Sequence, residues 1–414
     1  MTTPAAPASP RSGASGEAPS VSGGAADALA WTIGPTSADV FFEQHWEHHP
    51  LVVAREEPRR FEPLLSPADV EEIVCTTGIR TPAFRLVRDG AQIALREYTE
   101  DIPWRPGAFT GTAVVSRVAE EFARGATLVL QGLHLTSLRV ATYCRDLEAR
   151  LGCPVQANAY HTPASSQGFG VHHDTHDVFV VQVAGRKRWL VYAPVLELPL
   201  KTQKWSPRLG DPGAPVADLT LHAGDTLYLP RGWPHEAATS DAESLHLTIG
   251  LHPTTRIDAL RAALDACADD VEFRRNLAAD GTLPPDLLDR LAERLRPDDV
   301  ARRARRRLAA NRRPILDGQL EQVRALGSLT PNAPLERRPT VLAELAADGA
   351  GVSLVFDGKE LRFPAVARAA VEAVHAVQGS FTAAELPGPL DPDGRLVLVR
   401  RLIREGFLRR TDLG

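Results

Sequence analysis

The chain has 414 residues, 43% of them hydrophobic and 24% charged, with a net charge of -5. This is the composition of an ordinary soluble globular protein with two or three domains and room for a sizeable core. The charge gives no global pull toward nucleic acid or a membrane surface. No uninterrupted apolar run is long enough to span a bilayer. The four cysteines, Cys75, Cys144, Cys153 and Cys267, show no CxxC or CxxH spacing. They read as reduced thiols, not as a disulfide frame or a zinc site, and a cytoplasmic address is expected.

Residues 1–28, rich in Ala, Pro, Ser and Gly, are expected to be a disordered tail, since they lack the continuous apolar core of a secretory signal. TSADVFFEQHWEHHPLVVAR, 36–55, predicts a capped helix and then a short strand. Thr36, Ser37 or Asp39 is its cap, and Phe41, Phe42 and Trp46 its apolar face. SPADVEEIV, 66–74, starts a second helix with Ser66 as cap and Pro67 in its first turn. FRLVRDGAQIALREY follows as β structure with a hairpin turn at Asp89-Gly90. Residues 116–125 and 137–151 read as helices.

From 154 to 251 the texture changes to short strands, PVQANAY, DVFVVQVA, RKRWLVY, DLTLHAGDTLYLP and SLHLTIGLH, punctuated by Gly and Pro. That spacing predicts a β-sandwich or small barrel. After 255 the pattern turns helical. Ile257, Leu260, Leu264, Cys267 and Val271 share a helix face, and two more helices are expected over 284–296 and 298–313. ARRARRRLAANRR, 301–313, carries seven arginines; a solvated face balanced by acids such as Asp298 and Asp299 is the preferred reading over an RNA or acidic-partner contact. The last segment, from about 340, predicts a hairpin at Asp357-Gly358. A helix face of Val366, Ala370, Val374 and Val377 follows, then a closing helix that ends near Gly406. A hairpin with helices is compatible with a small winged-helix unit.

The chemistry concentrates in GFGVHHDTHDVFVVQ, 168–182, and in GDTLYLPRGWPH, 224–235. Residues i and i+2 of an extended segment share a side, so His172 and Asp174 can face one metal while His173 faces away. In the second stretch Gly224 turns the chain, Pro230 ends a strand, and Gly232 bends the loop so that His235 points back. The spacing G-x5-P-x-G-x2-H matches the second motif of the cupin superfamily. Any one of these histidines alone would read as a satisfied core residue. Together, two imidazoles and a carboxylate occupy one face of an octahedral iron and leave positions open, although the same ligand types suit zinc. His176 remains a support, a substrate contact or neither. In GRKRWLVY, Lys187, Trp189 and Val191 share the inward face. A buried ammonium there needs an anion, unless Lys187 reaches out to the sheet edge.

QANAYHTPASSQGFGVHHDTHDVFVVQVAGRKRW resembles the core of the JmjC-type 2-oxoglutarate and iron oxygenases. Within that family the chain is most similar to the ribosomal oxygenases, which hydroxylate histidine or arginine side chains of ribosomal proteins. The resemblance covers about 30–410 and implies an α+β fold. A double-stranded β-helix (cupin or jelly-roll JmjC) core would span 29–253, a helical dimerisation region 254–338 and a winged-helix-like domain 339–414. It implies that His172, Asp174 and His235 ligate Fe(II), and that Lys187 binds the distal carboxylate of 2-oxoglutarate. Asn158 and Tyr160, in the NxY motif, and less directly Thr248, would line the cosubstrate pocket. For Asn158 and Tyr160, ordinary polar satisfaction in a barrel wall is the competing reading.

The expected function is therefore an Fe(II)-, 2-oxoglutarate- and O2-dependent hydroxylase of a protein or peptide side chain, with a ribosomal protein as partner. Such an enzyme would be a homodimer without direct nucleic-acid binding. The alternatives are a tailoring hydroxylase of a peptide natural product and a non-catalytic metal-binding cupin scaffold.

Overall fold

The Asp27 side chain caps the first helix, α1 (Ala28–Ile33), whose inner face is buried. The computed structural model describes residues 27–166, 169–347 and 351–413. The tail expected over 1–28 therefore lies outside the described residues except for its last two positions, which belong to the folded chain. Of the three candidate caps near 37, Ser37 is used: it caps α2 (Ala38–Val40), which runs on as a π-helical turn over Phe41–His45. After β1 (Leu51–Val53), α3 (Pro67–Cys75) starts with a reciprocal capping box between Ser66 and Asp69. β2 (Phe84–Arg88) and β3 (Ala91–Gln92) meet across Asp89-Gly90, both at positive φ. A separate hairpin, β4 (Thr99–Trp104) with β5 (Gly107–Ala113), precedes α4 (Val115–Ala123), β6 (Thr127–Leu130), α5 (Leu133–Thr136) and α6 (Leu138–Leu151).

The strand-rich stretch holds β7 (Val155–Thr162), β8 (Asp177–Val191), β9 (Ala217–His222), β10 (Thr226–Leu229), β11 (His235–Ala238) and β12 (Ser244–Leu251). One sheet runs in the order β1-β10-β8-β12-β7-β6-β2-β3, with β9 and β11 also paired to β8. The two runs DVFVVQVA and RKRWLVY are one strand rather than two. The first half of β8 pairs antiparallel with β10, Phe179 opposite Tyr228, and its second half pairs with β9 and β11, Trp189 opposite Leu219 and Ala237. Gly185 sits between the halves at φ +65, so the backbone changes direction without ending the strand.

Side chains from both halves of β8 meet in one apolar cluster: Val178 and Val180 pack with Trp189, Val191, Leu221, Leu227 and Leu229. The other face of the first half is also covered, where Phe179 meets Phe41 and Tyr228. Burial on both sides is why VFVVQV reads as a continuous apolar run without alternation. Past Gly185 the alternation returns, with Lys187, Trp189 and Val191 buried and Arg188 exposed.

Contacts divide the chain into two units. One takes the described residues up to Leu133 with Ala157–Gly250; the other takes His134–Gln156 with Leu251–Gly414. The second unit thus joins α6 to the helical and C-terminal segments. It contains α7 (Arg256–Asp265), α8 (Pro285–Arg294), α9 (Pro297–Ala310), α10 (Gln319–Arg324), β13 (Leu335–Arg337), β14 (Ala343–Ala347), β15 (Gly351–Phe356) and β16 (Lys359–Pro364). α11 (Arg368–Ala376), β17 (Ser380–Phe381), α12 (Pro392–Arg404) and β18 (Leu408–Arg410) complete it. Its core gathers Leu335, Val352, Leu354, Phe356, Val371, Leu402, Ile403 and Phe407. The expected hairpin turn at Asp357-Gly358 joins β15 to β16, and the closing helix ends before Gly406 at φ +83.

Two expectations are corrected here. Val366 lies before α11 in a 3-10 turn and is exposed, so the buried face of that helix is Ala370, Val371 and Val374. Of the five apolar positions expected on one face of α7 and the turns after it, only Cys267 is buried, beside Ala263; Ile257, Leu260, Leu264 and Val271 are exposed, Leu264 by 49%. Their periodicity describes an apolar stripe, but this chain alone does not cover it. The arginines of α9 are largely spoken for. Arg302 pairs with Asp299, Arg305 with Glu344 at 3.0 Å and Arg306 with Glu360 at 3.1 Å. Beyond the helix, Arg312 meets the buried Glu148 of α6. No helix among the described residues is long and apolar enough to cross a membrane.

A side chain at position 185 has no room: a Cβ there would lie 1.8 Å from the Glu243 carbonyl oxygen. Gly185→Ala is expected to cost more than about 2 kcal/mol, combining positive-φ strain with displacement of backbone. Urea unfolding of the two proteins side by side measures it.

Candidate metal centre

Two loops build the centre. The first joins β7 to β8 and carries His172 and Asp174; the second follows β10 and delivers His235 at the start of β11. The first pair does not lie in a regular strand. It is held by an isolated bridge in which the His172 N–H donates to the His235 carbonyl at 3.1 Å and the His235 N–H returns the bond at 2.8 Å. Extended pairing at this one point is enough to give His172 and Asp174 a common side. Gly232 adds a third link, its N–H donating to the Asp174 carbonyl at 3.0 Å. Gly232 has φ +87, and a Cβ there would lie 2.5 Å from the Leu196 carbonyl oxygen and 2.7 Å from the Pro199 ring. The bend that aims His235 therefore needs glycine.

Ligand atoms of His172, Asp174 and His235 all lie within 4.8 Å of one another, with His235 Nε2 3.8 Å from Asp174 Oδ2. Each ligand imidazole has its Nδ1 against a backbone carbonyl, His172 on Gly170 at 2.8 Å and His235 on Trp233 at 3.0 Å. An Nδ1–H donating there leaves the Nε2 lone pair for a cation. Burial, with the nearby His172, pushes the His235 imidazole down to about 4, so it is neutral and able to ligate at neutral pH. Burial works to raise the Asp174 carboxyl, but the imidazoles of His235, His176, His172 and His173 outweigh it and hold it below its ordinary value. An ionised carboxylate facing the neutral His235 imidazole and the His172 ring suits a divalent cation.

The neighbouring histidines divide. His173 is buried away from the cluster, its Nε2 3.1 Å from the Gln203 carbonyl and its ring edge-on to Trp205 at 5.3 Å. It braces the loop between β8 and β9. His176 is close enough for its charge to act on Asp174 but lies outside the ligand group found among the described residues.

Lys187 does not reach out to the sheet edge. It is 4% exposed, and its Nζ donates to Thr162 Oγ1 at 3.0 Å. Burial pushes the ammonium down to about 7. Between Lys187 and the cluster stands an aromatic wall that includes a residue sequence reasoning missed. His246 of β12, 3% exposed, stacks on Tyr160 at 5.0 Å and 5°, and meets Trp189 edge-on at 5.6 Å. Trp189 in turn lies 5.9 Å from the His235 ring. Burial and the Lys187 charge hold His246 well below its ordinary range, so it is neutral. His246 Nδ1 and Trp189 Nε1 are buried polar atoms without a hydrogen-bond partner. Such atoms in a native core call for a partner that enters the space. The clue was present in SLHLTIG: His246 is as odd in an apolar strand as Lys187 is in β8.

The remaining expected pocket residues are half-buried, and each pair shares a face. Asn158 and Tyr160 share a face of β7, with Asn158 Oδ1 accepting the Gly132 N–H at 2.9 Å. That bond is ordinary barrel-wall satisfaction for one end of the amide. Burial and the Asp174 charge push the Tyr160 hydroxyl up to about 12, so it stays a donor. Thr248 lies two residues beyond His246 on the same face of β12.

Residues 135–258 match the JmjC domain family. Ribosomal oxygenase 1 of Gallus gallus is 31% identical over 265 residues, 62% of this chain and 43% of that protein. The bifunctional lysine-specific demethylase and histidyl-hydroxylase NO66 of Drosophila persimilis is 32% identical over 233 residues, 54% of this chain and 31% of that protein. The chain thus spans less than half the length of these curated relatives. Among solved structures, the Escherichia coli ribosomal oxygenase YcfD superposes with a TM-score of 0.52 at 20% identity, covering 91% of this chain and 98% of that one. This likeness shows that the two chains share a fold.

His235→Ala and Asp174→Ala are expected to abolish the visible d–d absorption that Co(II) gives on binding, with far-ultraviolet circular dichroism unchanged. His173→Gln keeps the one-to-one stoichiometry. A Co(II) titration of the three variants beside the parent chain distinguishes ligand from brace.

Proposed function

Starting from the JmjC domain this chain carries, we propose that the protein is an Fe(II)- and 2-oxoglutarate-dependent hydroxylase of a protein side chain, acting on a histidine or arginine of a ribosomal protein. One observation carries the reading: a two-histidine, one-carboxylate cluster and a buried ammonium stand at opposite ends of a single aromatic wall. The E. coli structure that superposes on this chain has also been solved with cobalt and 2-oxoglutarate and with cobalt and succinic acid. The relatives named ribosomal oxygenase and histidyl-hydroxylase support the same substrate class. The intact ligand set and the inward-facing Lys187 weigh against a non-catalytic scaffold.

The bound iron would supply the oxygen activation that couples decarboxylation of 2-oxoglutarate, to succinate and carbon dioxide, to hydroxylation of a substrate C–H bond. This chain's residues orient and protect. His172, Asp174 and His235 would hold the cation through two imidazoles and a carboxylate. Lys187 and Thr162 take the distal carboxylate, which supplies the anion the buried ammonium lacks. The protonated Tyr160 hydroxyl stands beside the same pocket as a donor. Trp189 and His246 fill the wall and keep water out.

The stripe of Ile257, Leu260, Leu264 and Val271, with Leu288 of α8, fits a homodimer interface formed by the helical region 254–338. Residues 339–414 fit the winged-helix-like domain, and a ribosomal substrate fits a cytoplasmic address.

The decisive experiment is an anaerobic titration with Fe(II) and 2-oxoglutarate, read by the visible charge-transfer band. Mass spectrometry of ribosomal proteins for the gain of one oxygen atom then identifies the target. Lys187 gives the titration a pH signature. Its folded-state pKa lies near 7, far below the unfolded value, so the ammonium is lost as pH rises through about 7. 2-Oxoglutarate binding is expected to weaken above that pH in the parent and not in Lys187→Arg, which keeps its charge. In a separate check, Leu260→Glu with Leu264→Glu turns a dimer into a monomer by light scattering.

A further inference from the structure

We propose that the buried Arg231 and Asp177, with the half-exposed Glu47, form a clamp that sets the separation of the two loops carrying the cluster, which makes the segment 41–49 part of the metal centre's support. This rests on the metal reading above and assigns positioning roles to three residues that touch neither metal nor cosubstrate.

The clamp lies where the loops begin and end. Asp177 follows Asp174 in the first loop and opens β8; Arg231 precedes His235 in the second. Asp177 is fully buried and Arg231 is 6% exposed. The Arg231 backbone N–H donates to Asp177 Oδ1 at 3.0 Å and its Nη1 to Oδ2 at 3.0 Å. The same Nη1 meets Glu47 Oε1 at 2.6 Å. The Tyr228 hydroxyl closes the ring, donating to Asp177 Oδ1 at 3.3 Å and accepting the Glu47 N–H at 3.0 Å.

Arg231 and Asp177 already pair between the two loops. The second carboxylate is brought from far away in sequence and held against resistance. Glu47 has φ +62, a left-handed conformation that a non-glycine residue adopts only when its surroundings impose it. The imposing contacts are aromatic: Phe41 meets Phe179 at 5.6 Å and Tyr228 at 4.9 Å, and Trp46 stacks on Tyr228 at 6.0 Å and 16°. From the clamp the links run straight to the ligands, first Gly232 N–H to the Asp174 carbonyl, then the His172–His235 bridge. Loosening the clamp therefore lets the ligand-bearing loops separate while the barrel stays folded.

The test follows Co(II) dissociation into excess chelator, with the d–d spectrum recorded well below each variant's melting temperature. Arg231→Met is expected to speed release by about 10–100-fold, the scale of losing an outer partner of a metal ligand. Glu47→Gln, at a half-exposed position that tolerates change, should speed release by at least about threefold with normal circular dichroism. Arg231→Lys, which keeps the charge, should fall between the parent and Arg231→Met. Arg188→Gln, which breaks an exposed pair between β8 and Asp218 of β9, should match the parent. Parent-like release from Glu47→Gln overturns the clamp, even if Arg231→Met fails to fold. Lowered melting temperatures with unchanged spectra and release rates overturn it too, and assign the cluster to folding stability alone. A parent chain that gives no Co(II) spectrum overturns the metal reading and this inference together, whereas a normal parent spectrum with unaffected variants removes only the clamp.

Discussion

The site depends on one short stretch of backbone pairing. His172 and His235 belong to loops far apart in sequence, and neither loop is part of a long strand at that point. Two reciprocal N–H to carbonyl bonds between them, with one more from Gly232, bring a carboxylate and two imidazoles to the same point. Hydrogen bonds of this kind contribute only about 1 kcal/mol each. Their importance is geometric, because they form only when both loops leave the barrel at the right angle. Gly232 and the bend of β8 at Gly185 meet that condition at positive-φ positions where a Cβ would strike neighbouring backbone.

The second constraint is electrostatic. Lys187 is buried with one hydroxyl partner, and its charge also holds His246 neutral. An ammonium so placed destabilises the chain on its own. The cost makes physical sense under the proposed function, in which a dicarboxylic acid would span the wall from the candidate cation site to Lys187. The orphaned nitrogens of His246 and Trp189 lie along that span. The same logic, binding geometry maintained at the expense of stability, applies to the left-handed Glu47.

The exposed stripe on α7 shows the opposite balance. Ile257, Leu260 and Leu264 follow the period of a buried helix face, yet within one chain they remain in contact with solvent. Periodicity reports which side is apolar but not what covers it, since a core and an interface between copies demand the same pattern.

The cap at Ser66, the hairpins at Asp89-Gly90 and Asp357-Gly358 and the β7–β12 texture were legible because each follows from local rules of conformation and alternation. The His172, Asp174 and His235 cluster was legible because Pro, Gly and His at fixed offsets encode a specific bend, and the inward-facing Lys187 because it interrupts an apolar face. His246 left the same kind of trace without a motif around it, and Arg231, Asp177 and Glu47 left none, since a charged residue in a loop looks solvated until its partner is known. By itself the sequence determined which residue types stand ready to hold a metal and which strand faces inward. Only the tertiary structure decided that Lys187 is buried beside Thr162, that His173 packs on the Gln203 loop outside the cluster, and that a glutamate at position 47 reaches the arginine before His235. Those outcomes depend on long-range packing, where the partner of a side chain is set by the path of the whole barrel and not by its neighbours in sequence.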